Sequence, residues 1–69
     1  MTYRILDLCC KQGGAARGYQ RVGLYVHGVD KDPQPRYVGN EFTQADALEV
    51  LRDDAFVSMF DAIHASFPC

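Results

Sequence analysis

The chain has 69 residues, with seven basic and nine acidic side chains, a formal net charge of −2 and 48% hydrophobic residues. No apolar run approaches the ~18 residues of a membrane-spanning helix, and the polar N-terminal residues do not have the pattern of a signal peptide. The net negative charge excludes a broad positively charged surface that could bind nucleic acid by itself. A chain this short buries only about 60% of its unfolded surface, so we expect marginal stability or a place within something larger. Three cysteines, two of them adjacent, do not form a disulfide framework, so we expect a reducing, cytoplasmic setting.

Short apolar runs alternate with helical patterns along the chain. The first run, residues 5–10, is typical of a buried parallel strand. Gly13 and Gly14 end it, and from Ala15 onward the apolar period becomes helical. Gly23 then follows as the glycine that commonly ends a helix. The side chains expected on the buried face of this helix are Ala15, Ala16, Tyr19 and Val22.

Three further strands are predicted downstream, together with a second helix. The strands are expected at residues 25–29 (followed by Asp30), 42–45 and 61–66. Two prolines within residues 32–35 exclude a regular helix between the first two of these strands.

The second helix carries its own start and stop signals. Asp46, with a glutamate three residues later, has the spacing of a capping box. Asp53 and Asp54 oppose the helix dipole, so we expect the helix to stop or restart there. Its buried face is expected to be Leu48, Leu51 and Ala55.

The order β-α-β-β-α-β predicts an α/β fold, specifically half of a doubly wound, Rossmann-like parallel sheet. We expect residues 1–69 to form one partial domain. Such sheets bind ligands outside the carboxyl ends of their strands. The candidate segments therefore follow the predicted strands and are residues 9–14, 30–31, 46–47 and 67–69.

Four features in these segments point to a nucleotide-like ligand, and each has a simpler interpretation. Gly13 and Gly14 allow close backbone approach to a ligand, or form an ordinary strand-to-helix turn. Asp30 suits the hydroxyls of a ribose, or is a solvated strand end or a turn starter before Pro33. Asp46 recognises an adenine amino group, caps a helix, or does both. Cys69 follows a proline at a strand end, which would direct its side chain to the ligand-binding edge; the simpler interpretation is an incidental cysteine.

The remaining histidines and cysteines are expected to be structural. His27 and His64 lie on predicted strands without partners at metal-ligand spacing, so no metal site is predicted. Cys9 and Cys10 are expected to be small core residues, as free cysteines commonly are.

These segments together resemble the S-adenosylmethionine-dependent DNA cytosine-C5 methyltransferases, most closely the phage-type branch. The sequence DLCCKQGG at residues 7–14 resembles the first motif of that family, DLFxGxGG, with Lys11 at a glycine position and Cys9 at the aromatic position. VDK at residues 29–31 and ADA at residues 45–47 resemble its second and third acidic motifs. ASFPC at residues 65–69 is similar to the Pro-Cys motif that presents the nucleophile.

The resemblance implies S-adenosylmethionine as the cofactor, with a role for each matched residue. Cys9, Gly13 and Gly14 would line its methionine end, and Asp30 would hold the ribose hydroxyls. Lys31 would flank the adenine, and Asp46 with Ala47 would recognise its edge. The complete set of implied cofactor-binding residues is Asp7, Cys9, Gly13, Gly14, Asp30, Lys31, Asp46 and Ala47. Cys69 would be the catalytic residue, adding as a thiolate to C6 of a cytosine flipped out of the duplex.

The resemblance also implies partners and a setting. Double-stranded DNA would be bound through regions that lie beyond this sequence, in the cytoplasm of a bacterial or phage-infected cell. Because the family's later motifs would follow Cys69, we expect the 69-residue chain alone to be catalytically silent. A completing chain, or self-association through exposed sheet edges, is expected, and no membrane partner.

Two other functions remain open from the sequence. One is a non-catalytic, Rossmann-like module that binds a nucleoside cofactor. The other is half of an NAD-type dehydrogenase, which the missing G-x-G-x-x-G pattern and the Phe-Pro-Cys ending disfavour.

Overall fold

Four parallel strands form a single sheet in the order β3-β2-β1-β4. The structure is a computed structural model and describes residues 2–65. The strands are β1 (Arg4–Leu8), β2 (Tyr25–Asp30), β3 (Glu41–Gln44) and β4 (Ala62–Ala65). The α/β fold with a parallel, Rossmann-like half-sheet is therefore confirmed.

The two central strands are buried because the chain covers both of their faces. Leu6, Leu8, Val26 and Val29 are almost inaccessible to solvent. The predicted first strand was too long, since β1 ends at Leu8. The chain turns at the next residue, Cys9, whose φ of 57° lies in the left-handed region.

Helix α1 (Gly14–Arg21) crosses from β1 to β2 and ends as predicted. Gly23 has φ 84°, and its N–H donates to the carbonyl of Gln20, while the N–H of Leu24 donates to that of Tyr19. This is the hydrogen-bond pattern of a Schellman motif. The prediction that Val22 is buried was wrong: it is 74% exposed, because it is the C-cap residue and no longer follows the helical phase.

Helices α2 (Ala47–Arg52) and α3 (Asp54–Val57) cross from β3 to β4. The predicted break is confirmed, because Asp53 ends α2 and its side chain accepts a hydrogen bond from the N–H of Phe56 in α3.

The predicted buried face of α2 and α3 was wrong. Leu48 is 63% exposed and Leu51 39%, and Ala55 is also exposed, whereas Ala47 and Val50 are buried. Both leucines and both buried residues have the same three-residue spacing. Packing against Leu6, Leu8 and Val29 selects Ala47 and Val50 as the pair that faces the sheet. The spacing of apolar residues in the sequence does not indicate which of the two pairs will face the sheet.

The connection from β2 to β3, residues 31–40, has no helix, as the two prolines predict. It crosses in the same direction as the β1–β2 connection, so right-handed crossovers place it on the face that carries α1. The chain is held there by hydrogen bonds from the N–H of Val38 to the carbonyl of Gln12 and from the N–H of Asn40 to that of Val26. α2 and α3 cover the opposite face.

Candidate functional site

The strand order creates a switch point at the carboxyl end of β1. The chain moves from β1 outward to β2 and β3 on one side, and then returns to place β4 on the other side. In open parallel sheets, ligands bind where the strand order reverses in this way. The predicted segments after β1, β2 and β3 all lie at this carboxyl edge.

The turn between β1 and α1 is tightly constrained. Cys9, Lys11 and Gly13 all have positive φ, at 57°, 50° and 92°. For a residue with a Cβ, this left-handed backbone conformation costs roughly 1–2 kcal/mol of stability. Gly13 has no alternative, because a Cβ there would lie 2.8 Å from Cε1 of Tyr37. Gly13 is therefore required by the fold itself.

Gly14 differs from Gly13 because no described residue occupies the space that a side chain there would need. A Cβ at Gly14 would have no heavy atom of residues 2–65 within 4 Å, and the residue is exposed. It begins α1, whose N-cap Gly13 provides no side-chain hydrogen bond, and whose first turn carries no acidic residue. The open space beside Gly14 can therefore admit a polar or anionic group close to the first amides of α1.

Asp30 connects the end of β2 to the first turn. Its side chain is buried; Oδ2 accepts a hydrogen bond from the N–H of Lys11 at 3.0 Å, and Oδ1 accepts one from the N–H of Asp32 at 3.0 Å. The bond from Asp32 is that of a turn-starting aspartate, one of the predicted alternatives, whereas the contact with Lys11 was not predicted from the sequence. Because each carboxylate oxygen has a second lone-pair direction, the residue keeps acceptor capacity for two hydroxyl groups.

The other two segments lie at the same edge. Lys31 is exposed, and its carbonyl accepts a hydrogen bond from Nε2 of Gln44. Asp46 is the N-cap of α2, as predicted, and Oδ1 accepts from the N–H of Leu48 at 2.8 Å. Ala47 packs into the core, so its side chain faces away from a ligand at the edge.

Asp7 is the most unusual residue of the predicted set. It is 1% exposed, and neither carboxylate oxygen has a hydrogen-bond partner within residues 2–65. Burial raises the pKa of Asp7 above its ordinary 3.8, and His64, its register partner on β4, partly lowers it. A buried, unpaired carboxylate is rare in folded proteins, and it favours a cationic group nearby.

Tyr37 is a neighbour that the sequence analysis did not single out. Its ring occupies the space that a side chain at Gly28, Gly13 or Gly39 would need. Its buried hydroxyl has no hydrogen-bond partner in the described part of the chain, and burial raises its pKa, helped by Cys10 and Asp7. Gly28 inside β2 was the available signal, because a glycine within a strand often marks close approach by another group.

The two adjacent cysteines are core residues, as predicted. Cys9 is 1% exposed, packs with Leu6 and Leu8, and is disulfide-bonded, so the prediction that it is a free cysteine was wrong. Cys10 is also buried, and its thiol donates to the carbonyl of Lys11. Burial, together with the carboxylates of Asp7 and Asp30, raises the pKa of Cys10 to about 12. Cys10 is therefore a neutral thiol at physiological pH and a poor nucleophile.

The histidines lie on opposite faces of the sheet. Nε2 of His27 is 2.7 Å from Oγ1 of Thr43, and its Nδ1 is 3.3 Å from Oε2 of Glu41. Nδ1 of His64 is 2.9 Å from the hydroxyl oxygen of Tyr19. These three contacts are structural, and residues 2–65 contain no cluster of three metal-ligating side chains.

Two further observations concern the surface near the site and the end of β4. A surface groove of about 440 Å³ is lined by Arg17, Gln20, Arg21 and Val38, and none of the predicted site residues is among these four. The predicted nucleophile Cys69 lies outside the described residues. Ala65, the last residue of β4, pairs with Leu8, so β4 ends beside the turn between β1 and α1.

No protein-family model, curated protein or solved structure matches this chain. Across residues 2–65, no helix has the length and apolar character needed to cross a bilayer.

Proposed function

We propose that this chain is the S-adenosylmethionine-binding portion of a DNA cytosine-C5 methyltransferase. The observation that carries the proposal is the arrangement around the first turn. A buried carboxylate without a partner, Asp7, precedes a turn whose last residue, Gly14, faces open space. Both lie at the switch point, where parallel sheets bind nucleotide ligands.

The side chains at this edge fit the cofactor group by group. The unpaired carboxylate of Asp7 suits the cationic methionine end, and Asp30 has acceptor capacity for the ribose hydroxyls. Among the described contacts of Asp46, only Oδ1 accepts the hydrogen bond that caps α2. Oδ2 of Asp46 can therefore accept a hydrogen bond from the adenine amino group. Lys31 is exposed beside these residues. When bound, S-adenosylmethionine supplies an electrophilic methyl group on a sulfonium.

Cys69 is the proposed nucleophile toward C6 of cytosine in double-stranded DNA. Its thiolate would form the bond to C6, and this makes C5 nucleophilic. Cys10 does not compete for this role, because its buried thiol stays protonated. We propose that the chain alone binds cofactor without transferring methyl groups, and that its setting is the cytoplasm of a bacterial or phage-infected cell.

Two glycines of the same helix provide the test. At both Gly14 and Gly18, the Cβ of an alanine would have no heavy atom of the described residues 2–65 within 4 Å, so alanine is compatible with the described fold at both positions. Only Gly14 lies at the proposed site. In calorimetric titration with S-adenosylmethionine, we expect Gly14→Ala to weaken binding by about tenfold or more and Gly18→Ala to leave it unchanged.

The proposal fails if the wild-type chain does not bind S-adenosylmethionine, or if the two variants bind it equally well. Titration with NAD is the parallel arm. Binding of NAD in place of S-adenosylmethionine would instead indicate a dehydrogenase-type half-sheet.

A further inference from the structure

The surface groove beside α1 lies apart from the proposed cofactor site. It has a volume of about 440 Å³, and its described lining consists of three α1 residues and one residue of the connection between β2 and β3, namely Arg17, Gln20, Arg21 and Val38. Small-molecule sites commonly have volumes of about 300–1,000 Å³, so the groove is large enough to hold a ligand. None of these four side chains takes part in the proposed binding of S-adenosylmethionine.

The groove lies on the side of α1 that faces β3. Nε2 of Gln20 donates a hydrogen bond to Oδ1 of Asn40, the residue before β3, and Oδ1 of Asn40 also accepts one from the N–H of Val26. The N–H of Val38 donates to the carbonyl of Gln12, so hydrogen bonds fix both walls of the groove. A doubly wound sheet continues beyond β4, and β3 remains its outermost strand. The groove therefore does not depend on strands beyond β4.

Two arginines give the groove a positive charge. Arg17 and Arg21 are four residues apart on α1, so their side chains lie on the same face of the helix. Both are exposed, and neither guanidinium forms an ion pair with a carboxylate of residues 2–65. α1 contains no acidic residue, and none of the four described lining side chains is acidic. The groove is therefore suited to an anion.

We propose that this groove binds a compact phosphorylated ligand, and that Arg17 and Arg21 contact its phosphate groups. A guanidinium can donate two parallel N–H bonds to two oxygens of one phosphate. Two such groups one helical turn apart can hold both phosphates of a diphosphate. Val38 provides an apolar contact for the rest of the ligand.

The charge of the whole chain favours a compact anion over an extended nucleic acid. The formal net charge is −2, although α1 itself carries two arginines and no acidic residue. A long polyanion would extend beyond the groove and be repelled by the acidic remainder of the chain. A ligand with one or two phosphates contacts only the positively charged groove.

The first test is calorimetric titration of the full 69-residue chain with pyrophosphate, without S-adenosylmethionine. Arg21 lies in the last turn of α1, and Arg52 holds the same place in α2. Replacing either with glutamine removes the same charge from an equivalent helix end, but Arg52 is not among the lining residues. We expect Arg17→Gln and Arg21→Gln each to weaken pyrophosphate binding by about tenfold, and Arg52→Gln to leave it nearly unchanged.

Amide chemical shifts of the wild type locate the bound pyrophosphate without any variant. We expect the largest shift changes at the groove residues Arg17, Gln20, Arg21 and Val38. Largest changes at Gly14 would instead place the anion at the first turn of α1 and overturn the proposal.

Three other results would also overturn it. They are a wild type that does not bind pyrophosphate, equal weakening by Arg21→Gln and Arg52→Gln, and binding of a DNA oligonucleotide at the groove in place of pyrophosphate. Because S-adenosylmethionine is absent from every titration, none of these results bears on the proposed function.

Discussion

Replacing Asp7 with asparagine removes a negative charge from the interior of the sheet and keeps the shape of the side chain. The wild-type carboxylate is 1% exposed and has no hydrogen-bond partner in the described structure, so folding removes its hydration without replacing it. An unsatisfied buried acceptor costs about 1–3 kcal/mol, and more when charged. Because the asparagine amide would also be buried, we expect a net stabilisation of about 1–2 kcal/mol at pH 7.

The effect of Asp7→Asn has a defined pH dependence. Burial raises the pKa of Asp7 above the unfolded value of 3.8, so its contribution to stability is complete below pH 3.8. That contribution is lost as the pH rises through the folded pKa. The stability advantage of Asp7→Asn should therefore grow with rising pH across this window.

Urea unfolding followed by far-UV circular dichroism measures both quantities. Asp32→Asn is the matched control, because it removes the same charge from an exposed position and should change stability by less than about 0.5 kcal/mol. If Asp7→Asn is no more stable than the wild type at pH 7, or its effect does not vary with pH, the reasoning is refuted. If Asp7 binds the cationic end of the cofactor, the stabilised variant should also bind S-adenosylmethionine about tenfold more weakly.

Three other substitutions or conditions test the fold around the site. Lys11→Gly should stabilise the chain by roughly 0.5–1 kcal/mol in urea unfolding, because Lys11 has φ 50°, whereas Gln12→Gly in the same turn should destabilise it by a similar amount. Gly28→Ala should destabilise the chain by about 1–3 kcal/mol, since the new Cβ would overlap the ring of Tyr37; an unchanged melting temperature would contradict that packing. Burial lowers the pKa of His27 below 6.5, and a nearby carboxylate partly opposes this shift. The contribution of His27 to stability is therefore complete above pH 6.5. It is lost as the pH falls from 6.5 towards the pKa of the folded state. Comparing wild type and His27→Gln at pH 7 and pH 5 checks this: the wild type should lose more stability on acidification.

The predicted roles of Asp30 show how far sequence reasoning reaches into the site. Its position at the end of β2 followed from the apolar run before it. Its contact with the N–H of Lys11, nineteen residues earlier in the chain, did not, because that contact exists only once β1 and β2 lie side by side. The same limit applies to Asp7, which is an ordinary motif residue in the sequence and an unpaired buried carboxylate only in the packed sheet.

The amino-acid sequence by itself determined the features whose hydrogen bonds close within a few residues. These are the cap at Asp46, the break at Asp53 and the helix end at Gly23. The order of strands and helices also followed from the sequence, because apolar runs alternate with helical patterns. Tertiary structure alone decided which side of α2 faces the sheet, where the ring of Tyr37 packs, and that β4 lies beside β1. These outcomes depend on contacts between segments far apart in the chain, and local periodicity carries no information about the direction from which a distant segment arrives.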